Sequence, residues 1–379
     1  MKNPMINFQK IRTELHPLLV EAEHLRKKHL FFQKAFSIMV STMILGFLFL
    51  PFITYVNNSG FSKWIAKAAS GKSMGGLQLI MTLYWLPLFI FMIGAYSYKT
   101  KFKNLEGKIM KVVLERIIPQ FIFDPYKQIS SQQIEESKLF PSYFQIGKKK
   151  NKQSVTNLHS GTLTGTVGDT SMLMGDVKVI NQGISSSVLM YIPLFPHLYM
   201  AYNYIKPWFS KHHSTEHFGS NFVGMFAMMD FNKRFNGHTV ILPDVMEKRV
   251  GYLAKNLQNL NMARGQLVHL EDTEFEKDFV VYSTDQVEAR YILSTSLMER
   301  ITLLKRKIDK PIMLSFYGNK LYLGVQNPHG FLCLNKKESL LSSNIFEKVH
   351  EDITAAIDIV EDLNLNTKIW KNESFTKSV

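Results

Sequence analysis

Four groups of residues have types and spacing that could do chemistry. Ala66, Gly71, Lys72 and Ser73 satisfy a relaxed phosphate-loop pattern, in which backbone N–H groups and a lysine cradle phosphate oxygens. His212, His213 and His217 are close enough to share a helix face and ligate a metal. Cys333 is the one cysteine and a potential nucleophile. Glu271 and Asp272, followed by Glu274 and Glu276, form an acidic cluster of the kind general acid–base catalysis uses.

Each group lacks what its chemistry requires. A phosphate loop needs a strand before it and a helix after it, whereas this match falls in a short stretch between two apolar segments. The histidines have no cysteine and no clear acidic third ligand nearby, so they read as a surface cluster. Cys333 has no locally marked base and reads as a small buried residue. It cannot form an internal disulfide, which suits a reducing compartment. Nucleophile elbow, dinucleotide fingerprint and zinc-protease helix are absent from the sequence. The expectation is therefore no catalytic residue, no metal ligand set and no cofactor.

The elements that would have to position such residues are dominated by the N-terminal third. No charged residue lies between Lys34 and Lys63, and none between Lys72 and Lys99. Within these gaps, residues 36–56 and 77–98 are dense in Leu, Ile, Phe and Met. A helix needs about 20 apolar residues to cross a bilayer, and one charge at the centre costs on the order of 2.5–3.5 kcal/mol. The pattern predicts a two-helix transmembrane hairpin over residues 36–98, with Pro87 kinking its second helix. Phe61, Trp64, Ile65 and Ala68 follow helical spacing and suit a short helix on the outer surface. Tyr84, Trp85, Tyr96 and Tyr98 are interface candidates.

Arg26, Lys27, Lys28 and Lys34 precede the first span, and Lys99, Lys101, Lys103, Lys108 and Lys111 follow the second. The loop between holds only Lys63, Lys67 and Lys72. This bias places both termini in the cytoplasm. It also makes Arg26, Lys27, Lys28, Lys34, Lys99, Lys101 and Lys103 the expected basic residues at the membrane surface. The net charge is +14, which suits anionic lipid or nucleic acid. Nucleic acid is disfavoured because the basic residues gather beside the membrane instead of interleaving with aromatics on one surface. Mean hydropathy is −0.05 because an apolar third is averaged with a polar remainder.

Around the hairpin the fold class reads as α+β: a mixed helix and antiparallel-sheet soluble domain follows the anchor. Residues 1–35 form a helix with Phe8, Ile11, Leu15, Leu18, Ala22 and Leu25 on one face. Residues 99–120 are a juxtamembrane helix carrying Phe102, Leu105, Ile109, Val112 and Ile117 and ended by Pro119. Residues 121–370 make the soluble domain and residues 371–379 a flexible tail. Strands are predicted at 162–180 (a hairpin turning at Gly168-Asp169), 222–229, 239–242, 279–282, 312–316 and 321–325, the last two joined by Gly318-Asn319. Helices are predicted at 245–260, 285–293, 297–308 and 345–363. Ser283 with Gln286, and Ser296 with Glu299, have capping-box spacing. Residues 147–154, with Lys148, Lys149, Lys150 and Lys152, read as a basic loop. Residues 187–209 are an apolar insertion expected to pack in the core or dip into the interface.

Four stretches, 230–244, 270–293, 297–300 and 363–370, resemble a bacterial membrane-protein family known as domain of unknown function 3137. With the hairpin, the resemblance runs from about residue 36 to residue 370. It implies a bacterial inner-membrane location and no assigned activity. Two departures stand out: Ser294-Thr295-Ser296 replaces a Thr-Pro opening, and residues 187–209 look inserted. Asp230, Asn232, Gly237, Asp272, Asp285, Glu288 and Arg290 lie in the shared stretches and read as turn, cap and ion-pair chemistry, with Arg290 expected to find a carboxylate on another element. The functional expectation is a membrane-anchored binding or scaffold protein, held to lipid by two passes and recruiting a protein, a ligand or a second copy of itself. The alternatives are a hydrolase or transferase acting on lipid or envelope precursors through the acidic cluster, and a secreted effector inserting into a host membrane.

Overall fold

The uncharged N-terminal segments do form helices, and these run further than the sequence pattern separated them. In the computed structural model, residues 7–56, 60, 63, 74–140, 153–181, 220–231, 234–243, 265–327, 330–334 and 338–362 are described. Helix α1 is continuous over Phe8–Val56, joining the expected leading helix to the first apolar segment. Helix α2 spans Met74–Ile117, passes through Pro87 and ends two residues before Pro119. No helix among the described residues is long and apolar enough to cross a membrane. The side chains of residues 44–56 and 74–83, which supply much of the apolar character of both segments, lie outside the described set.

The chain divides into two compact units. One comprises Pro17–Leu105 and Ser186–Ser214; its described part is the paired lengths of α1 and α2. The two helices are antiparallel here. His29 Nδ1 lies 3.2 Å from the Ala95 carbonyl. Phe32 stacks on Tyr98 at 5.2 Å and also meets Phe91. Tyr84 donates to the Met39 carbonyl and lies 2.7 Å from the Thr42 hydroxyl. Gly94 marks the closest approach, since a Cβ there would strike the Phe32 ring.

The other unit, Met1–His16 with Glu106–Ser185 and Thr215–Val379, is built on a sheet. Its strands are β1 (Phe121–Asp124), β2 (Gln153–Val167), β3 (Thr170–Asn181), β4 (Ser220–Asp230), β5 (His238–Pro243), β6 (Gln266–Val268), β7 (Phe279–Ser283), β8 (Ile312–Tyr317) and β9 (Lys320–Gln326). Among the described residues they form one nine-stranded sheet in the order β1-β2-β3-β4-β9-β8-β5-β7-β6, with every neighbouring pair antiparallel. Antiparallel pairing follows from the short connections. Gly168 (φ 60°) opens the two-residue turn between β2 and β3, and Gly318 (φ 61°) does the same between β8 and β9. Positive φ at the first turn position matches the twist of the flanking strands and favours glycine.

Side chains alternate faces along a strand. In β3 and β4 both sets are buried, from Met172 to Val179 and from Phe222 to Ala227, so this part of the sheet is covered on two sides. One face carries Leu173, Val177, Val179, Phe222, Phe226, Val240, Met313 and Tyr322, packed with Ile129, Ile134, Leu139 and Phe140 from the segment after β1.

Helices α3 (Ser131–Glu136), α4 (Thr273–Asp278), α5 (Gln286–Ile292), α6 (Thr295–Ile308) and α7 (Ile345–Asp362) complete the described elements. Strands β1 and β6, of four and three residues, and helices α3 and α4, under two turns each, went unpredicted because a period cannot emerge over so few residues. The predicted capping boxes are corrected: Asp285, not Ser283, caps α5, and Ser294, not Ser296, caps α6. Ser294 thus supplies the helix start at the point where the sequence departs from Thr-Pro. Gln153 and Ser154 belong to β2, not to a loop. On α7, Ile345, Val349, Ile353 and Ile357 are buried along one face, as their spacing predicts, while the side chains of Ala356 and Val360 lie outside the described set. The lysines at 148–152, the apolar stretch 187–209, the helix expected at 245–260, the surface helix of residues 61–68 and the tail 371–379 lie outside the described residues.

Candidate functional site

The acidic and small residues of the shared stretches converge on the junction between the start of β5 and the loop from β7 to α5. Asp285 Oδ1 accepts from Val287 N (2.9 Å) and Glu288 N (3.0 Å), satisfying two donors that helix geometry leaves open. The helix so started aims Glu288 back across the sheet. Its two oxygens accept from Asn236 N (3.0 Å) and Gly237 N (2.9 Å). Thr284 Oγ1 accepts from His238 N (2.9 Å), and Ser283 Oγ accepts from Asp285 N (3.1 Å) while lying 3.0 Å from Thr239 Oγ1. Gly237 is required by space: a Cβ there would come within 2.6 Å of Thr284 Oγ1 and 3.1 Å of Glu288 Oε2. The junction is a hydrogen-bonded seam made by residues 236–239 and 283–288.

The remaining shared residues serve similar ends. Asp230, ending β4, accepts from the Ser171 hydroxyl. Phe231 and Phe235 pack on Phe316 at 5.5 and 5.9 Å, and their N–H groups donate to the Asn319 and Gly318 carbonyls. Asp272 caps α4 by accepting from Glu274 N and Phe275 N, each at 3.0 Å. Glu276 accepts from Leu270 N at 2.8 Å. Glu274 pairs with Arg306 and Asp278 with Lys305. Of the acidic cluster, Asp272, Glu274 and Glu276 are thus engaged in a cap, an ion pair to α6 and a backbone contact, while Glu271 is exposed. Arg290 is exposed, and the expected ion pair to another element does not form among the described residues. Asn232, His212, His213, His217 and the Ala66–Gly71–Lys72–Ser73 match lie outside the described residues. No group of metal-binding side chains occurs among the described residues.

Sequence reasoning missed a second pair of carboxylates. Asp176, buried in the middle of β3, accepts from Phe331 N (2.9 and 3.0 Å) and Leu332 N (2.7 Å). Glu106 of α2, also buried, accepts from Leu334 N (3.0 Å). Asn327 closes the same loop by donating from Nδ2 to the Gly330 carbonyl at 2.8 Å. The available signal was two charged residues, Asp176 and Lys178, in the middle of a strand rich in apolar residues, since buried carboxylates occur where donors await them. These groups fasten the 327–334 loop. Tyr322 is pushed up to about 12, mainly by burial and further by the nearby Glu136 and Tyr317, so it holds its proton through the physiological range.

The predicted basic residues divide. Arg26 is buried, with its guanidinium on Glu23 at 2.6–2.8 Å, and is not a surface cation. Lys27 lies 3.6 Å from the same carboxylate. Lys34, Lys99 and Lys101 are exposed, and Lys28 and Lys103 half-buried. Lys28 and Lys101, from different helices, place their ammonium groups 5.4 and 5.8 Å from the centre of the Tyr98 ring. Beyond Tyr98 on α2, Trp85, Leu86, Phe89, Ile90, Met92, Ile93 and Tyr96 are all exposed, Leu86 at 65% and Ile93 at 52%.

Residues 220–365 match the family described as Protein of unknown function (DUF3137). The match runs from β4 through α7 and includes the junction, so the resemblance is narrower than the range 36–370 expected from sequence. No curated protein and no solved structure matches the chain.

Proposed function

Starting from a chain whose residues 220–365 belong to the DUF3137 family, we propose that it is a membrane-anchored binding protein, whose α1–α2 hairpin enters the bilayer and whose sheet unit holds a protein or ligand on the cytoplasmic side. The observation that carries this reading is the exposed apolar run on α2. Trp85, Leu86, Phe89, Ile90, Met92 and Ile93 are each about half exposed. At about 2 kcal/mol for full burial of such a side chain, leaving these six in water forgoes roughly 6 kcal/mol. Lipid removes that cost, and the chain supplies lysines beyond the apolar run, where a polar headgroup region would begin.

A binding role suits the sheet unit better than catalysis. Asp272, Asp285, Glu288, Asp176 and Glu106 all accept backbone N–H groups. Oxygens so engaged hold the fold together and are not presented to a substrate.

A topology experiment on the full-length protein tests the reading. With Ser59→Cys, a membrane-impermeant maleimide should label the new thiol from outside intact cells while native Cys333 reacts only after permeabilisation. Labelling of Cys333 alone from outside contradicts the cytoplasmic placement, and equal labelling of both without permeabilisation contradicts an anchor. Affinity purification of the full chain from its own membranes should then enrich specific bands, and recovery of the chain with no specific band contradicts the binding reading.

A further inference from the structure

The two lysines on Tyr98 form an arrangement that the anchor alone does not explain. Lys28 comes from α1 and Lys101 from α2, and both ammonium groups are drawn to one ring. Phe32 stacks on that ring, so the tyrosine is fixed in the hairpin and its position does not depend on the lysines. Two like charges gathered on one ring repel, and a shared anion relieves that repulsion. The hairpin offers none: no Asp or Glu occurs between Glu23 and Glu106. Glu23 itself is engaged by Arg26 and Lys27. Among the described residues neither Lys28 nor Lys101 pairs with a carboxylate.

The location identifies the anion. Tyr98 lies five residues beyond Ile93, about 7.5 Å along a helix, at the end of the exposed apolar run. That is the level at which lipid phosphates meet a hairpin whose apolar side chains face the acyl chains. We propose that Lys28, Lys101 and Tyr98 form a clamp for the phosphate of an anionic phospholipid. The lysines bracket the phosphate, while the tyrosine ring holds both ammonium groups in place by cation–π attraction and presents its hydroxyl at the same level. The clamp rests on the anchor reading, and it makes the hairpin selective for anionic lipid.

The test uses full-length protein in phosphatidylcholine nanodiscs doped with phosphatidylglycerol, with lipids retained on the detergent-released protein counted by native mass spectrometry. Wild type should retain phosphatidylglycerol over phosphatidylcholine. Lys28→Gln and Lys101→Gln should each lower that preference about fivefold, as about 1 kcal/mol per lysine implies. Lys99→Gln should leave it nearly unchanged, and the paired Lys28→Arg and Lys101→Arg variant should restore it. Equal losses at Lys99 and Lys101 overturn the clamp in favour of diffuse charge. Displacement of the lipid by millimolar inorganic phosphate overturns the lipid assignment. Incorporation without any headgroup preference overturns the clamp and leaves the anchor standing, whereas failure to enter nanodiscs of either composition overturns both.

Discussion

Glu288 provides the sharpest test of what the shared acidic residues do. Its carboxylate accepts two backbone N–H groups, from Asn236 at 3.0 Å and Gly237 at 2.9 Å. Hydrogen bonds to a charged acceptor are worth about 1.5–3 kcal/mol each. Asn236 is exposed and Gly237 only partly buried, so the lower end of that range applies and the pair contributes about 3 kcal/mol. Glu288→Ala should therefore destabilise the sheet unit by about 2–3 kcal/mol. Glu288→Gln keeps one acceptor but turns an amide donor toward a second N–H, and should lose about 1–2 kcal/mol. Urea unfolding of detergent-solubilised full-length protein, followed by far-UV circular dichroism, reads both. The ordering wild type, Gln, Ala is the signature of a structural acceptor. If both variants unfold within about 0.5 kcal/mol of wild type, the range of ordinary surface substitutions, the seam does not hold the fold and its carboxylate must serve some other purpose.

Other substitutions probe different levels of the account. Gly94→Leu should overpack the α1–α2 contact against Phe32 and cost about 1–3 kcal/mol; adding Phe32→Ala should recover part of the loss in a double-mutant cycle of thermal unfolding. Asp176→Asn should weaken the grip on Phe331 N and Leu332 N by about 2–4 kcal/mol, seen first as faster hydrogen exchange at those two amides. For Tyr322 the folded pKa is raised from 10 to about 12. The neutral phenol is the form the fold favours, so its contribution is complete below pH 10 and is lost as pH rises from 10 towards 12. The urea midpoint of wild type should fall more steeply across that window than that of Tyr322→Phe, by on the order of 2 kcal/mol in total; identical slopes would contradict the burial of the hydroxyl.

Legibility in the sequence followed the length and regularity of each element. Strands β3, β4, β5, β7, β8 and β9 were readable because their apolar runs end in glycine, proline or polar turns. The turns at Gly168 and Gly318 were readable because only a few residues tolerate positive φ. Helices α5, α6 and α7 were readable to within two residues of their observed bounds. The short elements β1, β6, α3 and α4 carry too few residues for a period to emerge, and tertiary contacts specify them instead. Cap positions shifted by two residues at both α5 and α6 because Ser283 and Ser296 have the right spacing, while Asp285 and Ser294 have the right place in the chain. At the junction, the residue types were legible and the partners were not. Glu288 gave no hint of Gly237, 51 positions away, and Asp176 gave none of Phe331, 155 positions away. Such pairings are set by sheet order, which puts β7 beside β5 and the end of β9 one strand away from β3. Arg26, expected at the membrane surface, is instead buried on Glu23, which stands three residues earlier, where helix geometry brings the two together.

The proposed anchor requires that the α1–α2 hairpin be solvated by lipid. Flotation of the full-length protein through a sucrose gradient after membranes are washed with urea at neutral pH measures this directly. A lipid-solvated hairpin should carry the protein up with the lipid fraction and release it only when detergent is added. Recovery in the dense, lipid-free fraction after the urea wash, as a dispersed species without detergent, would contradict it.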